Sequence, residues 1–233
     1  MSVILFGTTI LTSAFLLFVV QPLIAKLILP WFGGSAAVWT TCLLFFQVVL
    51  LGGYAYAHWL SGQPRMRQAA IHASLLAVSL FSLPILPSIR WKPANSEGPM
   101  LAIAGLLAAT IGLPYLLLSA TSPLLQSWYT RASGALPWRF FALSNAGSLA
   151  GLLTYPVLIE PLVANRRQAW SWSIGYGAFA LLCGCAAFTL RGSQAPRVPI
   201  VNTASPALSE RLLWIALAAC PSALLLAVTS HLT

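Results

Sequence analysis

Aspartate is missing from this chain altogether, and charge of any kind is scarce. Three acidic residues stand against 12 Lys and Arg in 233 positions, and charged residues together make up 6%. A soluble domain carries about 25% charged residues, so a water-soluble fold of this composition would have nothing with which to cover its surface. The lack of Asp removes carboxylate dyads, Asp-oriented triads and most oxygen-rich metal sites at one stroke. No Gly-x-Ser-x-Gly, His-Glu-x-x-His, Walker loop or Gly-x-Gly-x-x-Gly occurs either, so nucleophilic, zinc-hydrolytic and nucleotide chemistry are without a motif. The cysteines are Cys42, Cys183, Cys185 and Cys220, all inside apolar runs. Cys-x-Cys at 183–185 is neither a zinc nor a redox spacing, and all four read as small buried hydrophobes. No cofactor or metal is expected.

What is abundant is apolar length. Hydrophobic residues make up 59% of the chain and the mean hydropathy is +0.86. Seven apolar runs, near 4–29, 36–60, 69–87, 100–127, 138–163, 169–190 and 211–229, approach the roughly 20 residues that cross a bilayer as a helix. Turn-forming breaks separate them at 30–35, 61–68, 88–99, 129–137, 164–168 and 191–209. The expectation is one domain, residues 1–233: an all-α, polytopic bundle of about seven spans whose first partner is the lipid bilayer. The first run lacks a basic leader and a cleavage site, so it reads as a retained span. Trp31, Trp59, Trp91, Trp128, Trp138 and Trp170 fall at span ends, as an aromatic belt would.

The net charge of +9 would suit a polyanion, but the basic residues sit singly or in pairs at the edges of apolar runs. Nucleic-acid binding needs a clustered footprint, and none is present. Counted by side, Arg65, Arg67, Arg131, Arg139, Arg191, Arg197 and Arg211 oppose Lys26, Arg90, Lys92, Arg166 and Arg167. The larger group marks the cytoplasmic side, which puts the N-terminus there in an inner membrane.

Few polar residues lie within the runs. Lys26 and Glu160 each sit just inside the end of a span, at similar depth. Snorkelling to the headgroups is the reading favoured for both; a structural ion pair and a substrate or proton site stay open. Gln21, Thr40, Thr41, Gln47 and Asn145 either bond between helices or line a cavity, and Gln21 and Asn145 join Lys26 and Glu160 as candidate site residues. Ser144, Gly147, Ser148 and Gly151, with Gly53 and Ala57, are small residues four apart that let helices approach closely. They pack the bundle or form a dimer interface. His58 and His72 flank one break and read as interfacial histidines without a ligand. Pro22, Pro84, Pro114, Pro123 and Pro156 interrupt spans, which a membrane tolerates where neighbours satisfy the freed backbone. Gln21–Lys26 (QPLIAK) and Glu160–Asn165 (EPLVAN) form a weak internal repeat, and both runs should end on the same side.

Residues 19–60 (VVQPLIAKLILPWFGGSAAVWTTCLLFFQVVLLGGYAYAHWL) resemble the membrane portion of bacterial spermidine-synthase-like proteins, a transporter-like membrane domain fused to an aminopropyltransferase-like domain. Residues 112–129 (GLPYLLLSATSPLLQSWY), 140–162 (FFALSNAGSLAGLLTYPVLIEPL) and 230–233 (SHLT) are similar to the same family. Such proteins continue into a Rossmann-like domain that binds an adenosyl sulfonium cofactor, whereas this sequence ends at Thr233. The family position matching Gln21 is often Glu. The resemblance therefore implies a membrane module without the catalytic half. A non-catalytic scaffold or accessory subunit, with a membrane partner or as a homo-oligomer, is the leading expectation. A transporter-like bundle for a small, cationic or polyamine-like solute is the alternative. A membrane anchor for an aminopropyltransferase-like enzyme acting in trans is the third.

Overall fold

A computed structural model describes residues 3–88, 91, 99–133, 138–189 and 207–232. Arg90, Lys92, Arg191 and Arg197, and much of the breaks expected at 88–99, 129–137 and 191–209, lie outside them. The described residues form helices and no strand. In chain order these are α1 (Val3–Phe32), α2 (Ala36–Ser61), α3 (Arg65–Ser79), α4 (Pro99–Leu107), α5 (Leu113–Ser133), α6 (Trp138–Thr154), α7 (Glu160–Leu162), α8 (Asn165–Thr189) and α9 (Leu208–Leu232). A π turn, Ala108–Gly112, joins α4 to α5, and a second, Tyr155–Ile159, joins α6 to α7. The all-α bundle expected from apolar run length is the fold.

Five helical segments among the described residues are long and apolar enough to cross a membrane: Val3–Phe32, Ala36–Ser61, Met100–Ser133, Trp138–Leu162 and Asn165–Thr189. The third run departs from the expected span. It builds the 15-residue α3 and a 3-10 turn at Leu80–Ser82, then non-helical chain through Pro84, whose ring cannot continue a helix. That chain is buried at Ile85, whose amide donates to Ser173 Oγ at 3.3 Å. Irregular backbone at such depth persists because protein, not lipid, surrounds it. Residues Arg197–Thr233 form a separate unit containing α9, a 25-residue helix. Glu210 Oε2 accepts from the Ala207 amide at its start, at 3.1 Å.

α1 is the most deeply packed helix, with Phe6, Ile10, Val20, Ile24 and Ile28 fully buried. α6 runs parallel to it at backbone contact: a Cβ on Gly147 would lie 2.6 Å from Leu11 O, and one on Gly151 2.9 Å from Phe15 O. α2 packs on α5 in the same manner, since a Cβ on Gly53 would lie 2.8 Å from Leu116 O and overlap Ser119 Oγ. Ala57, one turn on, is buried with Leu124 and Leu125. In lipid the gain from such approach is dispersion between backbones, because the tails are as apolar as leucine. The glycines thus serve packing within the chain.

Two aromatic and histidine expectations are corrected. His72 is not interfacial but fully buried, with Tyr56 Oη 3.2 Å from Nδ1 and Cys183 Sγ 3.4 Å from Nε2. α3 turns that face onto α8, so the imidazole is satisfied from inside the bundle. His58 is exposed. Trp128 leaves the belt as well: it is buried on the inner face of α5 and donates its indole N–H to Gln68 Oε1 at 2.6 Å. Gln68 in turn donates to Ser61 O and Gln63 O, closing the α2–α3 corner. Gln168 does the equivalent at the α7–α8 corner, donating to Ile159 O and Val163 O. These amides satisfy carbonyls that a helix end leaves open.

Substituting the contact glycines tests this packing. Gly147→Leu and Gly53→Leu should each lower the unfolding temperature in detergent, reflecting an overpacking cost of about 1–3 kcal/mol or more. Gly184→Ala, whose added Cβ would meet nothing within 4 Å, should leave it unchanged. A thermal scan monitored by size-exclusion chromatography reads the difference.

Candidate binding groove between α1, α2 and α6

α6 follows α1 while α2 follows α5, and the space between α2 and α6 is left as a groove floored by α1. Its wider part has a volume of about 430 Å³. Gln21, Pro22 and Ala25 of α1 form the floor, Trp39, Cys42, Leu43 and Phe46 of α2 one wall, and Gly151, Leu152, Tyr155, Pro156 and Glu160 the other. A second chamber of about 200 Å³ shares Phe18 and Gln21 with the first. Its lining sets Ser13, Gln47, Tyr54, Tyr115, Ser119, Ser122, Ser144 and Ser148 among Leu17, Leu50 and Leu118. The two cavities adjoin along α1, and each is a mostly apolar space with a few polar side chains. Ser13 to Lys26 on α1 corresponds to about 20 Å at the helical rise, against a hydrocarbon core of about 30 Å.

The helix repeat explains the alignment. On α2, Trp39, Leu43 and Gln47 recur at intervals of four, with Tyr54 on the same side. On α6, Ser144 and Ser148 do the same, and Tyr155 and Glu160 continue the stripe. Positions three or four apart share a face.

At one end, Lys26 Nζ meets Glu160 Oε1 at 2.8 Å, with the two side chains 34% and 42% exposed. The favoured snorkelling picture therefore gives way to an interhelical ion pair, because parallel α1 and α6 end at the same level. The π turn at Tyr155–Ile159 sets the level of Glu160. Pro156 lacks an amide hydrogen and would clash with the carbonyl a turn earlier; widening the turn relieves both. Tyr155 is 4% exposed, and its hydroxyl has no hydrogen-bond partner. Midway, Gln21 Nε2 donates to Tyr115 Oη at 3.1 Å and weakly to Leu17 O at 3.4 Å. In the chamber, Ser122 Oγ donates to Ser144 Oγ at 3.3 Å, and Ser148 Oγ bonds back to Ser144 O at 3.0 Å.

Comparison with protein-family models, curated proteins and solved structures returned no match. The groove is therefore read from its own chemistry.

Of the candidate residues, Gln21 and Glu160 line the groove, Lys26 adjoins it through its ion pair with Glu160, and Asn145 stays outside. It lies exposed on the other side of α6, between Phe141 and Leu149, which are also exposed. The small-residue stripe divides by chemistry: Gly147 and Gly151 seat α6 on α1, whereas Ser144 and Ser148 line the chamber. Trp39, Tyr54, Tyr115, Ser119 and Tyr155 were not singled out by sequence reasoning. The four-residue recurrence on α2 was the available signal, but it points to a groove only once α6 is known to face it.

Charge exchange tests the pair. Lys26→Glu or Glu160→Lys alone places two like charges at one membrane level and should reduce the yield of monodisperse protein. The double swap should restore most of it. The coupling should be modest, about 1 kcal/mol or less, for so exposed a pair, as read by a double-mutant cycle on thermal stability.

Proposed function

We propose that this chain is a non-catalytic, transporter-like module of the bacterial inner membrane, with a cytoplasmic N-terminus, whose α1–α2–α6 groove takes a small solute. The observation that carries this reading is the track itself. Hydroxyl and amide side chains recur along two adjoining, mostly apolar cavities that share Phe18 and Gln21, and a charged pair stands at one end. Buried polar groups in a membrane bundle gather where they bond each other or where a cavity admits water, and here they surround a cavity. The resemblance expected from sequence fits the same reading. The segments that resemble the membrane portion of spermidine-synthase-like proteins, 19–60, 112–129 and 140–162, carry every groove residue named above except Phe18 and Ser13.

Water access is the test. In a background with the native cysteines replaced, Ser148→Cys and Gln47→Cys should react with a membrane-impermeant thiol reagent in proteoliposomes, and Leu149→Cys on the outer face of α6 should not. Equal inertness of all three would remove the solute track.

An accessory-subunit role has one observation in its favour. Asn145 is an exposed amide on an apolar helix face, and an amide facing hydrocarbon is costly unless a neighbouring helix answers it. Under this second reading the chain should leave native membranes in mild detergent with a companion, and Asn145→Leu should release it. A wild-type monomer without a companion would count against that role while leaving the groove untouched.

A further inference from the structure

We infer that the groove takes the headgroup of an amine-bearing phospholipid, with the acyl chains left in the bilayer outside α2 and α6. The inference rests on the solute-binding reading and names its ligand. Three features of the groove carry it.

The first is its open side. Along the upper groove, Trp39 and Leu43 on α2 and Leu152 on α6 are 42%, 57% and 59% exposed, and Pro156 is exposed beside them. These residues form the lips, while Gln21, Pro22 and Ala25 lie beneath. The lips belong to helices long and apolar enough to span a membrane, so in a bilayer the gap between them opens sideways toward the hydrocarbon. A water-soluble ion would need a path closed to lipid on every side. An amphiphile needs a path closed on one side only, because its tail is at home in the bilayer.

The second is the charge. Lys26 and Glu160 oppose each other at 2.8 Å, so the mouth has both signs and no net charge. A ligand carrying one ammonium and one phosphate exchanges partners with this pair without leaving either charge uncompensated: phosphate to Lys26, ammonium to Glu160. A purely cationic or purely anionic ligand would free one member of the pair. The ammonium carries N–H donors that the Glu160 carboxylate, a groove-lining acceptor, can take, and a quaternary ammonium has none to give.

The third is what lies further in. Beyond Gln21 the lining is uncharged, with Gln47, Tyr54 and hydroxyls such as Ser119 and Ser148 set among Leu17, Phe18, Leu50 and Leu118. Such groups can bond a headgroup in passing without holding it at one depth.

Native mass spectrometry of the wild-type chain, released from nanodiscs containing equal amounts of phosphatidylethanolamine, phosphatidylcholine and phosphatidylglycerol, tests the inference directly. Phosphatidylethanolamine should be retained at least about five-fold over each of the others. The preference should vanish in Glu160→Gln, and soluble phosphoethanolamine at equal concentration should not compete. Equal retention of the three lipids by the wild-type chain overturns the proposal without any variant having to fold. So does a preference that survives Glu160→Gln, or effective competition by free phosphoethanolamine. If Ser148→Cys labels from water while the lipid preference is absent, the solute track stands and only the lipid assignment falls. If neither is seen, both fall.

Discussion

The backbones of α1 and α6 touch because Gly147 and Gly151 present no side chain to Leu11 O and Phe15 O. The position of the groove depends on that approach. A methyl group at either position would meet a carbonyl oxygen and push α6 outward, and the Lys26–Glu160 distance would open with it. The same device seats α2 against α5 through Gly53. Since each outer helix is committed to a different inner one, α2 and α6 have no reason to close on each other. The groove is the space left by two independent backbone contacts, and it needs no side chain to hold it open.

Proline places the polar groups along it. Pro114 and Pro156 would each leave a carbonyl without its helical donor, and each lies beside or within a π turn, at Ala108–Gly112 and Tyr155–Ile159. An added residue in a turn rotates everything beyond it by about 100° relative to a regular helix. Downstream of the second turn that rotation helps carry Glu160 to the face that Ser144 and Ser148 occupy upstream. Downstream of the first, Tyr115 reaches Gln21. The interruptions that weaken these helices locally also aim their functional side chains.

Apolar run length made the fold legible: five of the expected runs are helical segments long and apolar enough to cross a membrane, close to their expected bounds. It overstated the third run because composition does not register that the helix stops short of Pro84 and the chain runs on irregularly, anchored by the buried Ile85. The site was half legible. Lys26 and Glu160 stand out in any chain this poor in charge, and parallel runs ending on one side predict that they can meet. Whether they meet depends on a helix-to-helix distance set by Gly147 and Gly151, and these residues carry no sign in sequence of which helix they face. His72 and Trp128 failed for a related reason. Residues that begin or end an apolar run resemble interfacial residues, yet tertiary packing had turned both inward.

The ion pair at the mouth also bears on how a ligand could leave. Breaking a buried pair is costly because one charge is left unanswered, so a site built on one isolated charge would bind its counter-ion tightly and release it slowly. Lys26 and Glu160 avoid this by answering each other. They meet at 2.8 Å, and both side chains stay partly exposed. A ligand with both charges replaces one pair of contacts by two of the same kind, so entry and exit differ little in electrostatic energy. Under the proposed reading, a self-compensating pair suits a ligand that must also leave, because no isolated charge holds it back.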